Sequence, residues 1–149
     1  MDAFKQQCHW ALDLGLWVDI HCRKAYADLI KTLNLPEFSP LGGIIHCFAG
    51  DAREAKVLTD LGYYLGIGGV ITYKNTTLFE DIKDIPLSRI VLETDAPYLS
   101  PVPFRGKPNS PKNIPIIAQK LADLYEVSLE HLVEQTNQNA QQLKTISGY

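Results

Sequence analysis

The 149-residue chain lacks three features that would assign its class at once: a long apolar run, an excess of one charge, and a cysteine framework. No apolar run approaches the ~20 residues of a membrane-spanning helix, and residues 1–7 lack the apolar region of a secretory signal. Fourteen basic and seventeen acidic residues give a net charge of −3. A general basic surface for nucleic acid is therefore excluded, and any DNA or RNA must bind at a local site.

The few cysteines predict a reducing compartment. Cys8, Cys22 and Cys47 are odd in number and lack the Cys-x-x-Cys spacing. We therefore expect free, buried thiols rather than disulfides, and a cytoplasmic protein. With 46% hydrophobic and 21% charged residues, the composition is that of one ordinary globular domain.

Four short apolar runs alternate with helical patterns along the chain. Each run is rich in β-branched or aromatic residues and is followed by polar residues, glycine or proline, as strands are. We predict strands at 17–22, 43–48, 63–68 and 89–94. Amphipathic helices flank them, and Asp51 and Ser128 are placed to cap two of these helices. The alternation predicts an α/β fold with a parallel sheet covered by helices.

Three of the predicted strands end in a side chain suited to metal binding or acid–base chemistry. His21 ends the first strand, His46 the second and Asp95 the fourth. In parallel α/β folds the carboxyl ends of the strands meet where the βα loops form the site. We therefore expect the three side chains to converge. Imidazole and carboxylate together suit zinc, manganese, iron or a mixed dinuclear centre.

Strand alternation predicts which neighbours join them. Residues two apart share a face of a strand, so Arg23 groups with His21, and Glu93 groups with Asp95. By the same rule, Cys47 and the cysteine that follows His21 face the covering helices, and neither is expected to be a ligand.

Structural roles stay open for several of these residues. Asp95 precedes an Ala-Pro pair and could form an Asx-type turn. Arg23 could pair with Glu93 inside the sheet layer. A single histidine at a strand end is more often a hydrogen-bonded residue than a ligand, but two histidines and an aspartate at equivalent ends favour a metal centre. His9 and His131 lie on helices among polar neighbours, where we expect no site.

A proline-rich loop, residues 97–109, follows the fourth strand. Its four prolines make it rigid, and Arg105 and Lys107 flank Gly106. Beside a metal site such a loop suits a phosphate diester. Composition alone allows a solvated surface loop equally well.

The segment from Val91 to Asn109, with its Glu-Thr-Asp-Ala-Pro and Arg-Gly-Lys-Pro-Asn runs, resembles the signature of the TatD family of metal-dependent DNases. The stretches 20–25, 45–50, 66–69 and 136–140 are similar to that family in the expected order. The resemblance implies a TIM-type (β/α)8 barrel of the amidohydrolase superfamily, with a divalent-metal centre that hydrolyses phosphodiester bonds of DNA.

The resemblance also implies roles for the strand-end residues. By position, His21, His46 and Asp95 would bind the metal ions. These would be magnesium, manganese or zinc, with two in a complete family member. Bound metal lowers the pKa of water and neutralises phosphate charge, and Asp95 would also act as the base that takes the proton.

Three further residues match family positions around that centre. Glu93 would orient a metal ligand, while Arg23 and Arg105 would contact the substrate phosphate. DNA would be the substrate, with no membrane partner.

The chain resembles only strands five to eight of such a barrel. A full barrel needs ~250 residues, with ~200 as a practical minimum, and the family's opening Asp-x-His-x-His motif has no counterpart here. We therefore predict a single TatD-like domain over 1–149, the carboxyl-terminal half of the barrel. It is interpreted as a nuclease that lacks its upstream half and could be inactive alone. The alternatives are an amidohydrolase-like hydrolase with another substrate, or a non-catalytic half-barrel that self-associates or binds a complementary half through its open sheet edges.

Overall fold

The computed structural model describes residues 2–146 and centres on one four-stranded parallel sheet. Its strands are β1 (Val18–His21), β2 (Gly43–His46), β3 (Tyr64–Ile67) and β4 (Ile90–Leu92). They lie side by side in chain order, and all three pairings are parallel. The predicted α/β fold is therefore confirmed. The strands are shorter than predicted, since β2 is followed at once by Cys47 in the left-handed region, with φ 45°.

Within the described residues, six α-helices connect and flank these strands. They are α1 (Asp2–Leu14), α2 (Tyr26–Leu33), α3 (Ala52–Asp60), α4 (Leu78–Ile82), α5 (Ile114–Leu124) and α6 (Leu129–Ile146). Both predicted caps are confirmed. The Asp51 carboxylate accepts from the backbone N of Glu54 at 2.8 Å, and Ser128 Oγ accepts from the backbone N of His131 at 3.2 Å. Within residues 2–146, no helix is long and apolar enough to cross a bilayer.

One face of the sheet forms the main core against the helices. The buried strand residues on this face are Ile20, Ile45, Leu65, Ile67 and Ile90, and the helices add Leu29, Ala55, Leu58, Ile117 and Leu121. Cys8 of α1 is buried in the same core. These strand residues alternate with those of the other face, so a single apolar core positions every strand end that carries a candidate site residue.

The opposite face of the sheet is only partly covered. Tyr64, Val91 and Leu143 of α6 form a small buried cluster there, with Ile44 packed against it. The Tyr64 hydroxyl donates to Gln142 Oε1 at 2.6 Å. The carboxyl end of β1 on this face remains exposed. That this sheet is one half of a barrel stays a prediction.

Candidate metal centre

The three strand-end residues lie together at the carboxyl edge of the sheet. His21 and His46 are register partners on β1 and β2, and their ring centroids are 5.9 Å apart. Asp95 lies just beyond β4, and its Oδ1 is 3.2 Å from His46 Nε2. Among the described residues, no backbone N–H of the turn after Asp95 donates to its carboxylate, so the Asx-type turn is not formed and the carboxylate faces His46 instead.

Glu93 holds His46 from the other side of the ring. Its Oε2 is 2.8 Å from His46 Nδ1, and its Oε1 accepts from the backbone N of Cys47 at 2.5 Å. Both side chains are mostly enclosed, with 21% of His46 and 16% of Glu93 exposed. His46 therefore lies between two carboxylates, one on each ring nitrogen.

This environment shifts the titration of His46. Burial lowers the pKa of the imidazole, but the charge and hydrogen bond of Glu93 oppose it, with further contributions from Asp19 and Asp95. The net result is a pKa above the ordinary histidine value. Because a carboxylate can only accept, Glu93 and Asp95 both favour the protonated ring, which donates from Nδ1 to Glu93 and from Nε2 to Asp95. If a metal ion replaced the proton on Nε2, Glu93 would keep the proton on Nδ1 and the Nε2 lone pair would face the metal.

The expectation that Cys47 faces the helices is wrong. Alternation holds only while the backbone is extended, and the chain leaves that geometry at Cys47 itself. Donor atoms of His46, Cys47 and Glu93 all lie within 4.8 Å of one another. Burial, then the hydrogen bond and charge of Glu93, raise the pKa of the Cys47 thiol well above its usual range. Without metal, Cys47 therefore stays a neutral thiol beside the Glu93 carboxylate.

Gly66 of β3 makes room for the Glu93 side chain. A Cβ at Gly66 would lie 2.7 Å from Glu93 Oε2, closer than real carbon atoms approach. Glu93 therefore reaches His46 across β3 only because residue 66 has no side chain. In the sequence, Gly66 is one of several glycines at the end of a predicted strand. No local pattern indicated that it makes room for Glu93.

The spacing of His46 and Asp95 fits two ligands of one divalent cation. Two ligands that each bind zinc at about 2.0–2.2 Å lie roughly 3 Å apart at usual coordination angles, and the 3.2 Å between His46 Nε2 and Asp95 Oδ1 matches this. A metal-binding histidine normally gives its other ring N–H to a carboxylate, as His46 does to Glu93. His21 adds a second imidazole beside this pair.

Comparison with known proteins decides the family. Residues 1–144 match the family model described as TatD related DNase. The chain belongs to the TatD family. Among its relatives, YabD of Bacillus subtilis, described as an uncharacterized metal-dependent hydrolase, is 36% identical over 98% of this chain and 58% of that protein. A protein of Edwardsiella piscicida named 3'-5' ssDNA/RNA exonuclease TatD is 38% identical over 95% of this chain and 56% of that protein.

Solved structures agree with this assignment. The crystal structure of YJJV, a TatD homologue from Escherichia coli, superposes with a TM-score of 0.87 at 28% identity, over 93% of this chain and 54% of that one. The chain thus spans about half the length of the TatD relatives that it matches.

Asn109 connects the proline-rich loop of this TatD chain to the candidate metal centre. This buried amide donates to the carbonyls of Thr94 and Tyr98, both at 2.7 Å. Thr94 directly precedes Asp95, so the amide links the far end of the loop to the backbone of the candidate ligand. The sequence placed Asn109 at the end of a signature but assigned it no role.

The two arginines lie outside the carboxylate–histidine cluster. Arg23 is exposed just beyond β1, and in the part of the chain that the structure describes it forms no ion pair with Glu93. The alternative of an Arg23–Glu93 pair is therefore wrong, since both Glu93 oxygens are used by the residues of β2 and the turn after it. The Arg105 guanidinium stacks over the ring of Tyr73, 4.0 Å from its centroid.

Proposed function

We propose that this chain provides carboxyl-terminal strands and part of the metal centre of a divalent-metal-dependent hydrolase of DNA phosphodiester bonds. The observation that carries this is His46 held between Glu93 and Asp95, with His21 beside it. Membership of the TatD family and the exonuclease name of one relative point to the same chemistry.

His21, His46 and Asp95 would hold the metal. When bound, a divalent ion lowers the pKa of water and neutralises charge on a phosphate. The Asp95 carboxylate is 33% exposed and accessible from the open end of the sheet, where it can accept a proton from the attacking water. Glu93 fixes the His46 ring and its tautomer, while Arg23 and Arg105 present exposed guanidinium groups to phosphate oxygens.

The competing proposal is a half-barrel without catalysis that associates with a complementary partner. It is favoured by the exposed carboxyl end of β1, where Asp19 and His21 face solvent, and by β1 and β4 as edge strands. Unpaired strand edges are templates for association. Either a second copy or an amino-terminal half-barrel could cover them. For both proposals we place the protein in the cytoplasm, where its three free cysteines stay reduced.

One experiment separates these proposals. The purified chain, alone and mixed with the amino-terminal half of a TatD relative, is incubated with DNA and Mg²⁺ or Mn²⁺. We expect metal-dependent degradation that needs the complementing half and is lost in His46→Ala and Asp95→Asn. An ester or a cyclic amide serves as the alternative substrate in parallel reactions.

Degradation that survives both substitutions would refute the site. A folded, associating complex without hydrolysis of any substrate would favour the interaction module instead.

A further inference from the structure

A cationic pocket lies between the loop that follows β3 and the proline-rich loop. It has a volume of about 260 Å³ and is lined by Val70, Tyr73, Lys74, Asn75, Thr76 and Arg105. The lining has two cations and no acidic residue, although the chain as a whole carries a net charge of −3. Such a local excess of positive charge marks a place where an anion is favoured.

The pocket is built by two loops that are locked together. The Tyr73 hydroxyl donates to the Ser100 carbonyl at 3.1 Å, and the backbone N of Val102 donates to Thr72 Oγ1 at 2.9 Å. Gly69 lies so close to the Leu99 carbonyl that a Cβ could not be accommodated. The Tyr73 ring is thus a fixed surface, and it holds the Arg105 guanidinium by its face.

Arg105 lies over the Tyr73 ring, and among residues 2–146 no group accepts a hydrogen bond from its guanidinium, so its donors are available to a ligand. A guanidinium held by its face keeps its N–H groups at the edge, where their planar fork matches two oxygens of a phosphate. Lys74 adds a point charge on the opposite loop. Arg105, Lys74 and Asn75 are all exposed, so a polymer can run through the pocket rather than end in it.

The same loop offers surfaces for unpaired bases. Tyr98 is 69% exposed and Phe104 is 38% exposed, and the aromatic faces of such side chains stack on bases of single strands irrespective of sequence. A rigid loop with exposed aromatics beside a cationic pocket suits a single strand better than a duplex, whose bases are already stacked on each other.

We propose that this pocket binds an intact phosphodiester of a single nucleic-acid strand. The subsite rests on the proposed function, because the proline-rich loop follows Asp95 closely in the chain and would position the strand relative to the candidate metal centre. It contributes binding and not chemistry: no bond changes at Arg105 or Lys74.

The test measures binding without hydrolysis. Fluorescence anisotropy of a labelled single-stranded DNA oligonucleotide is followed with the 149-residue chain in a metal chelator, over a range of salt concentrations. The variant Lys74→Gln/Arg105→Gln should bind about tenfold or more weakly, as expected for losing charge-assisted bonds. The slope of log affinity against log salt should fall by about 0.7 per lost phosphate contact.

The control is Lys31→Gln/Arg53→Gln, which removes the same two charges from exposed positions on α2 and α3. It should leave the slope unchanged. Arg105→Lys should bind between the native chain and Arg105→Gln, because it keeps the charge and loses the planar fork. Circular dichroism checks that each variant is folded.

Equal weakening by the pocket and control variants would overturn the inference, as would tighter binding of duplex than of single strand. We expect an unlabelled second strand to displace the labelled oligonucleotide. Inorganic phosphate at the same phosphate concentration should not displace it. Binding of free phosphate alone would also overturn it. Since the chelator removes metal, this result is independent of whether His46 and Asp95 support hydrolysis.

Discussion

Replacing Glu93 by glutamine tests whether this carboxylate sets the tautomer of His46. The glutamine oxygen can still accept from the backbone N of Cys47, which leaves its NH2 group against His46 Nδ1. His46 must then accept at Nδ1 and carry its proton on Nε2. The nitrogen that faces Asp95 would no longer offer a lone pair to a metal ion.

The expected loss follows from the contacts of Glu93. Removing the partner that orients a metal-binding histidine costs roughly 10- to 100-fold in metal affinity, or about 1.4–2.8 kcal/mol. The metal-free chain loses one charge-assisted hydrogen bond between two mostly enclosed side chains. Its free energy of unfolding should therefore fall by about 1–3 kcal/mol.

Calorimetric titration with Zn²⁺ measures the affinity, and urea unfolding in chelator measures the stability. Glu54→Gln is the matched control, since it removes one negative charge from α3 while glutamine keeps the capping bond to the Asp51 backbone. The control should bind Zn²⁺ like the native chain. If Glu93→Gln binds as tightly as Glu54→Gln, Glu93 does not set the tautomer and the reasoning is wrong.

Three further predictions concern residues that support or form the candidate metal centre. Gly66→Ala should weaken Zn²⁺ binding about as much as Glu93→Gln. The control Gly68→Ala should not, because a Cβ at Gly68 would lie 3.5 Å from its nearest atom. Equal weakening of Zn²⁺ binding by the two alanine variants would contradict this prediction. Asn109→Ala removes two hydrogen bonds of a buried amide and should lower the free energy of unfolding, measured with urea, by about 1–3 kcal/mol. The control Asn137→Ala, at an exposed position, should change it little. Without metal, the raised pKa of His46 stabilises the fold fully below about pH 6.5, and this contribution disappears as pH rises through the raised pKa. Urea unfolding across pH in chelator checks it, and a profile unchanged by His46→Gln would refute it.

The α/β order and the convergence at one sheet edge were predictable from the sequence. Alternating strand and helix patterns leave a parallel sheet as the solution, and parallel strands carry their carboxyl ends to the same edge. His21, His46 and Asp95 therefore had to meet once each was assigned to a strand end. The caps at Asp51 and Ser128 were equally readable, because a cap acts within three residues of its helix.

The sequence could not show how these residues contact one another. Alternation predicted the wrong side for Cys47, since a single residue with positive φ ends the strand pattern. Arg105 was visible as a cation on a rigid loop, but its stacking on Tyr73 depends on two loops that are 32 residues apart in numbering. Asn109 likewise acts on carbonyls 11 and 15 residues away.

The sequence by itself thus determined the fold class, the family and the chemical types at the strand ends, because these follow from local periodicity and from a contiguous signature. Only the tertiary structure decided that Glu93 is hydrogen-bonded to Nδ1 of His46 and that Asp95 faces Nε2. It also decided that Gly66 leaves the space for the Glu93 side chain. Those choices depend on hydrogen bonds and close packing between residues 46 to 49 positions apart and on a contact across neighbouring strands. No periodicity within a strand or helix records contacts over such separations.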